Sequence, residues 1–208
     1  MYHGTSREKG NIIINSQEML QSCGNSQWLG DGVYLYPEIF LAFRWINIRY
    51  KEKYPLDQID ELLLKEYMIL EVELKCESDR IFSLVRSTEN LIEFDHIKKR
   101  YLEKAKGSKR ISANNSSVVD GIVINLMFNT MGYGKKYDAV EAYFPYKGNI
   151  KLDSSRIGNI GECQMCVKNL KCIGKISDCT ERINYKEYSK KLHKFNQYRT
   201  QRIKDIKS

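Results

Sequence analysis

The segment Gly30-Asp31-Gly32-Val33-Tyr34 joins a loop that lets backbone approach a ligand to an aromatic ring just beyond it. Glycine has no side chain to collide with a bound molecule, and a tyrosine ring can stack on a flat heterocycle. Trp45, 11 residues after Tyr34, offers a second ring from the next predicted helix. At the N-terminus, His3, Thr5 and Ser6 supply an imidazole and two hydroxyls suited to a sugar. Far along the chain, Glu162 to Asn169 reads as a strand, so Glu162 and Gln164 share a face. Gln164 can hold a hydroxyl, but it supplies no negative charge and takes no proton at neutral pH. A nearby carboxylate therefore matters. Glu162 is the first candidate and Glu141, on the preceding predicted strand, the second.

Each of these residues also has a plain reading. Tyr34 and Trp45 can be core aromatics, Gln164 a hydrogen-bonded strand residue, and Glu162 a surface acid. Trp28 packs the loop, and His96 and His193 sit in charged segments as solvated side chains. Cys163-x-x-Cys166 has the spacing of a zinc or redox pair. On a strand the two thiols point to opposite faces and cannot share an ion. Cys23, Cys76, Cys163, Cys166, Cys172 and Cys179 thus read as free thiols packed as small apolar groups. A four-cysteine zinc site is the alternative if this segment is a knuckle.

The elements that must position these groups come from periodicity. Ser6 to Asn15 reads as a short helix with Ile12 and Ile13 facing in and Gly10 weakening it. Val33 to Tyr36 is a strand. Pro37 suits the first position of a helix carrying Phe40, Leu41, Arg44, Trp45 and Ile48. A second helical stretch covers Tyr54 to Lys65. Met68 to Cys76 alternates as a half-buried strand. Thr88 to Lys106 is an amphipathic helix, with Leu91, Ile92, Phe94, Ile97, Tyr101 and Leu102 as its apolar positions. Ser117 to Met131 is a helix closed by Gly132. Tyr137 to Phe144, Glu162 to Asn169 and Cys172 to Ile176 are strands. The pattern is α+β rather than regular βαβ.

The 208 residues, 42% apolar and 29% charged, suffice for one domain with a real core, expected over 1–180. No apolar run is long enough to span a membrane, and no leader precedes His3, so a cytoplasmic location is expected. The net charge of +8 is uneven: residues 181–208 hold nine Lys or Arg and three acids, leaving +2 for the rest. Tyr185, Tyr188, Phe195 and Tyr198 are interleaved with those charges. Such a tail suits a nucleic-acid strand, cations on phosphates and rings on bases. It equally suits an amphipathic helix docked through Tyr188, Leu192, Phe195 and Tyr198.

Taken in order, Tyr2-His3-Gly4-Thr5, Trp28-Leu29-Gly30-Asp31-Gly32-Val33-Tyr34-Leu35 and Gln164-Met165-Cys166-Val167-Lys168-Asn169 resemble the three NAD-pocket motifs of ADP-ribosyltransferases. The branch is that of diphtheria toxin and the poly(ADP-ribose) polymerases. The resemblance is strongest over 1–48, extends over 137–176, and is absent over 50–115 and the tail. It implies split antiparallel sheets with an NAD cleft, inserted helices and a His-Gly-Thr triplet ending the first strand. His3 would bond a ribose hydroxyl of the adenosine half, and the Gly4 backbone would clamp the carboxamide. Tyr34 would stack on nicotinamide, with Thr5 and Gly32 lining the pocket, Trp45 as the second ring and Ala42 as the small residue before it. Where the branch carries a catalytic glutamate this chain has Gln164. A looser similarity connects it to uncharacterised bacterial toxin-like and phage-defence transferases whose third motif reads Gln-Ile-Cys-Val-Arg-Asn. The resemblance implies a mono-ADP-ribosyltransferase that uses NAD as substrate, needs no metal and modifies RNA, DNA or protein, with an antitoxin as a further partner. The alternatives are an NAD glycohydrolase and a module that binds NAD, ADP-ribose or nucleic acid without turnover.

Overall fold

A computed structural model of the chain describes residues 1–24, 26–54, 62–105, 116–146 and 161–207. In chain order the elements are β1 (Tyr2–Ser6), α1 (Arg7–Ser16), β2 (Val33–Leu35), α2 (Ile39–Lys53), α3 (Leu62–Glu66), β3 (Tyr67–Leu74), β4 (Ile81–Ser83) and α4 (Thr88–Ala105). There follow α5 (Ser116–Asn129), α6 (Tyr133–Lys136), β5 (Ala139–Pro145), β6 (Gly161–Val167), β7 (Ile173–Asp178) and α7 (Tyr185–Lys207). The class is α+β. One sheet is antiparallel with strand order β1-β3-β7. The other has order β2-β6-β5-β4, antiparallel except that β4 runs parallel to β5.

The sheets face each other across an apolar layer. Val33, Leu35 and Val167 from one meet Met68, Leu70, Val72 and Ile176 from the other. Helices α2, α3 and α7 cover the outer face of the first sheet with Phe43, Ile46, Tyr50, Leu63 and Leu192. Helices α4 and α5 cover the second with Phe94, Val123, Ile124 and Met127. Two reciprocal backbone hydrogen bonds of 2.8 Å between Tyr2 and Tyr36 tie the sheet edges together just beyond β2.

Several sequence expectations are corrected. The His-Gly-Thr triplet lies inside β1 rather than at its end, because pairing with β3 runs through to Ser6 opposite Tyr67. In α1, capped by the Ser6 hydroxyl, Ile13 faces in as expected, but Ile12 is 61% exposed and Ile14 packs inward in its place. Gly10 is no defect there. A Cβ on it would stand 1.9 Å from the Met68 sulfur, so glycine lets α1 rest on β3. Pro37 precedes α2 by two residues, and Glu38 is the N-cap. The buried face of α2 is Leu41, Ala42, Phe43, Ile46, Asn47 and Tyr50, which keeps Leu41 inside as expected and leaves Ile48 exposed.

Strand β3 stops at Leu74 and is not half-buried in an alternating way. Ile69 packs under α2 while Met68 and Leu70 face the other sheet, since both faces are covered. Leu91 and Ile92 of α4 are exposed, and Phe94 carries that helix's burial. Gly132 lies past the end of α5 and caps α6 with φ of 85°, a conformation that favours glycine. Of the helical stretch expected over 54–65, residues 55–61 lie outside the described residues, and α3 is its observed end. Strand β4 had no sequence signal, because three residues are too few for alternation to register. No helix among the described residues is long and apolar enough to cross a membrane.

Candidate functional site

The first two motifs meet through one hydrogen bond. His3 Nδ1 lies 2.8 Å from the Tyr34 carbonyl oxygen. Burial lowers the imidazole pKa, so the ring is neutral at pH 7. A carbonyl only accepts, so the proton is on Nδ1 and Nε2 is an acceptor. His3 and Thr5 share one face of β1. Thr5 is buried there, its methyl turned toward Gly10 of α1. Gly4 faces the other way, onto α2. A Cβ on Gly4 would stand 2.6 Å from Ile46 Cγ2 and 3.1 Å from Trp45 Cε3. Trp45 therefore packs beside the Gly4 backbone, with the Arg49 guanidinium 5.6 Å from its ring centroid.

The glycine loop is pinned from three sides. The Tyr34 hydroxyl donates to Gly30 O and accepts from the Leu29 N–H, each at 2.8 Å. Burial pushes its pKa well above the usual tyrosine value. Lys168 Nζ donates to Leu29 O at 2.6 Å and Asp31 O at 2.5 Å, and burial lowers its pKa. Asn125 of α5 accepts the Asp31 N–H at 2.7 Å. Gly32 is required because a Cβ there would stand 2.4 Å from the Cys166 sulfur.

The third motif sits where β6 outruns β2. Their pairing ends at Leu35 opposite Met165, while β6 continues back to Gly161 along β5. Tyr34 is opposite Cys166, so Tyr34, Gln164 and Glu162 share a face. Both Gln164 and Glu162 are buried. Gln164 Nε2 donates to Glu162 Oε1 at 2.6 Å. Arg44 Nη1 of α2 pairs with Glu162 Oε2, and the Tyr146 hydroxyl donates to the same oxygen at 3.1 Å. The Arg44 guanidinium stands 4.7 Å from the Tyr146 ring centroid and 5.5 Å from that of Phe195 in α7. Burial, followed by the Glu162 charge, raises the Tyr36 pKa, which places that phenol close by. A buried carboxylate therefore stands one alternation step from Gln164, held by a cation, a phenol and an amide.

Glu141, the second carboxylate candidate, does not join this group. It pairs with Met165, so it lies on the opposite face of the sheet, where Ser83 Oγ and Arg86 Nε each donate to Oε1 at 2.5 Å. Cys163 and Cys166 likewise fall on opposite faces of β6. Cys76, Cys172 and Asp138 cluster, but the Asp138 carboxylate is taken by Arg80 and by Asn169 Nδ2 at 2.8 Å. His96 and His193 are exposed.

Sequence reasoning missed Arg44, Tyr146 and Tyr36 as members of the site. The available signal for Arg44 was a lone cation in the apolar stretch Phe40 to Ile48. Tyr146 carries no local signal. Of the docking residues expected for the amphipathic tail, Tyr188 and Phe195 meet Phe40 and Phe43 of α2 and Leu192 is buried, and Tyr185, not among those expected, also packs on Phe43.

No known family model matches the chain, and no solved structure matches it. It is 36% identical to the uncharacterised protein MJ0359 of Methanocaldococcus jannaschii, and the match covers 85% of each chain.

Proposed function

The chain belongs to the family of that archaeal protein, and we propose that it is an NAD-dependent mono-ADP-ribosyltransferase. In this reading the two sheets are the split sheets of that superfamily, and NAD lies along the three motifs. The observation that carries it is the Glu162–Gln164 hydrogen bond of 2.6 Å on the same face as Tyr34. It sets a carboxylate beside Gln164 in the third motif. His3 Nε2 accepts from a ribose hydroxyl. Gln164 donates its amide to Glu162 and keeps its carbonyl oxygen for a hydroxyl of the nicotinamide ribose. Tyr34 and Trp45 flank the nicotinamide.

As the bond from C1′ to the nicotinamide nitrogen breaks, its electron pair leaves with nicotinamide and the sugar carbon becomes cationic. Glu162 faces that charge as the carboxylate of a glycosidase does. The acceptor's lone pair then bonds C1′, and its proton passes to Glu162 or solvent. A toxin or phage-defence role with an antitoxin partner rests on the motif resemblance alone.

One observation favours a second reading, a module that binds NAD without turnover: Glu162 already has three partners. Incubation of the protein with labelled NAD and a pool of RNA, DNA and protein separates the two. Nicotinamide release with label transfer supports the transferase. Release without transfer indicates hydrolysis. NAD binding with no release leaves the module.

A further inference from the structure

A groove of about 530 Å³ lies between the end of α2 and α7. Its described lining includes Lys51, Lys190, Lys194 and His193 and contains no carboxylate. The three lysines are exposed, and none forms an ion pair with a described residue. Their neighbours on the same two helices differ. Lys53 is paired with Glu66 at 2.8 Å and Lys191 with Glu187 at 2.7 Å. Among the described lining residues of the groove, the lysine charge is therefore uncompensated. Its donors are lysines without an arginine, which suits point-charge contact to phosphates rather than bidentate capture of carboxylates.

Helix α7 also connects the groove to Glu162. Phe195, the next residue after Lys194, turns toward Arg44 and Tyr146. Groove and carboxylate cluster therefore touch the same helix at consecutive residues. Beyond Glu162, the indole of Trp28 is 41% exposed and packs 5.1 Å from Phe144, the residue opposite Glu162 on β5. An exposed ring there can stack an unpaired base.

We propose that the α2–α7 groove seats the phosphates of a single-stranded nucleic acid, which is the acceptor. A duplex would keep its bases stacked away from the site. Binding to the groove stands by itself, and the acceptor role rests on the transferase reading. The test is fluorescence anisotropy with a labelled 12-nucleotide RNA and DNA over a salt series, with the matching duplex and polyglutamate as competitors. Wild type binds the single strand. The K51Q/K190Q/K194Q and K51E/K190E/K194E variants bind at least 10-fold more weakly, and the slope of log affinity against log salt falls by about 2, at roughly 0.7 per lost phosphate contact. Nicotinamide release without acceptor is unchanged in both variants. Unchanged affinity in the variants overturns the proposal, as does equal competition by duplex or by polyglutamate. If nicotinamide is never released but the lysine-dependent binding persists, the transferase reading falls and the groove stands.

Discussion

Two arginine–glutamate pairs lie on opposite faces of the same sheet, and they are built differently. Glu141 takes its partners from one turn: Ser83 and Arg86 both follow or end β4, the strand beside it. Glu162 gathers Arg44 from α2, Tyr146 from beyond β5 and Gln164 from its own strand. The side chain of Arg86 is 55% exposed while that of Arg44 is 13% exposed under two aromatic rings. The Glu141 pair fastens a turn to a strand, and a local sequence can specify it. The Glu162 pair desolvates a charge at a point where one strand has left its neighbour. Desolvating an ion is costly, and at this sheet end the cost is offset by a cation, a phenol and an amide gathered from three segments.

The largest effect should separate the two carboxylates. Glu162→Gln keeps the shape but removes the charge. Nicotinamide release, followed by chromatography under saturating NAD, should fall about 10²-fold or more, the scale of losing one electrostatic contact to a transition state. Glu141→Gln should stay within about threefold of wild type. Equal losses would erase the distinction, and full activity in Glu162→Gln would remove Glu162 from the chemistry.

Glu141 should register in stability rather than in activity. Glu141→Ala leaves the Ser83 hydroxyl and the Arg86 guanidinium without their acceptor, and loss of such charge-assisted bonds costs about 2 kcal/mol. Urea melts should register this as a lower midpoint with an unchanged slope. A midpoint that does not move would mean the turn after β4 is held by something else.

The same contrast explains what the sequence revealed. Tyr34 is close in sequence to the backbone it contacts, reaching Leu29 and Gly30 within its own loop, so the spacing of Gly30, Gly32 and Tyr34 carried information, while His3 meets Tyr34 from 31 positions away. The amphipathic α7 was legible for the same reason: its stripe is periodic. Arg44 and Tyr146 were not legible, because Arg44 and Glu162 are 118 positions apart and no periodicity encodes that meeting. Burial misled the reading as well. Ile12, Leu91 and Ile92 are apolar at helical spacing yet exposed, since a helix packed on one narrow side leaves flanking apolar positions in water. β3 looked half-buried because Glu71 and Glu73 alternate with apolar residues, while α2 nonetheless covers Ile69.

The glycine loop gives a smaller test of the ligand side. Tyr34→Phe keeps the ring for stacking but removes both hydroxyl contacts, leaving the Leu29 N–H without its acceptor. The loss is about 1 kcal/mol of stability. If the loop shapes the pocket, the KM for NAD should rise while kcat changes little. A fall in kcat at unchanged KM would instead tie the phenol to the chemical step.

A third pair, Arg80–Asp138, sets the structural end of the scale, with no expected effect on nicotinamide release. The Arg80 guanidinium, followed by the Asn169 amide, holds the Asp138 carboxyl down to about 2. The unfolded chain protonates an aspartate near 3.9. A depressed folded value means the contribution is complete above about pH 4 and is lost as pH falls toward 2. In acid unfolding followed by circular dichroism, Asp138→Asn should be less stable than wild type at pH 6, and the gap should close between pH 4 and 2. A gap that stays constant across that range would mean that Asp138 stabilises β5 through shape and not through its charge. The Arg80 pair would then no longer serve as the structural standard against which Glu162 is judged.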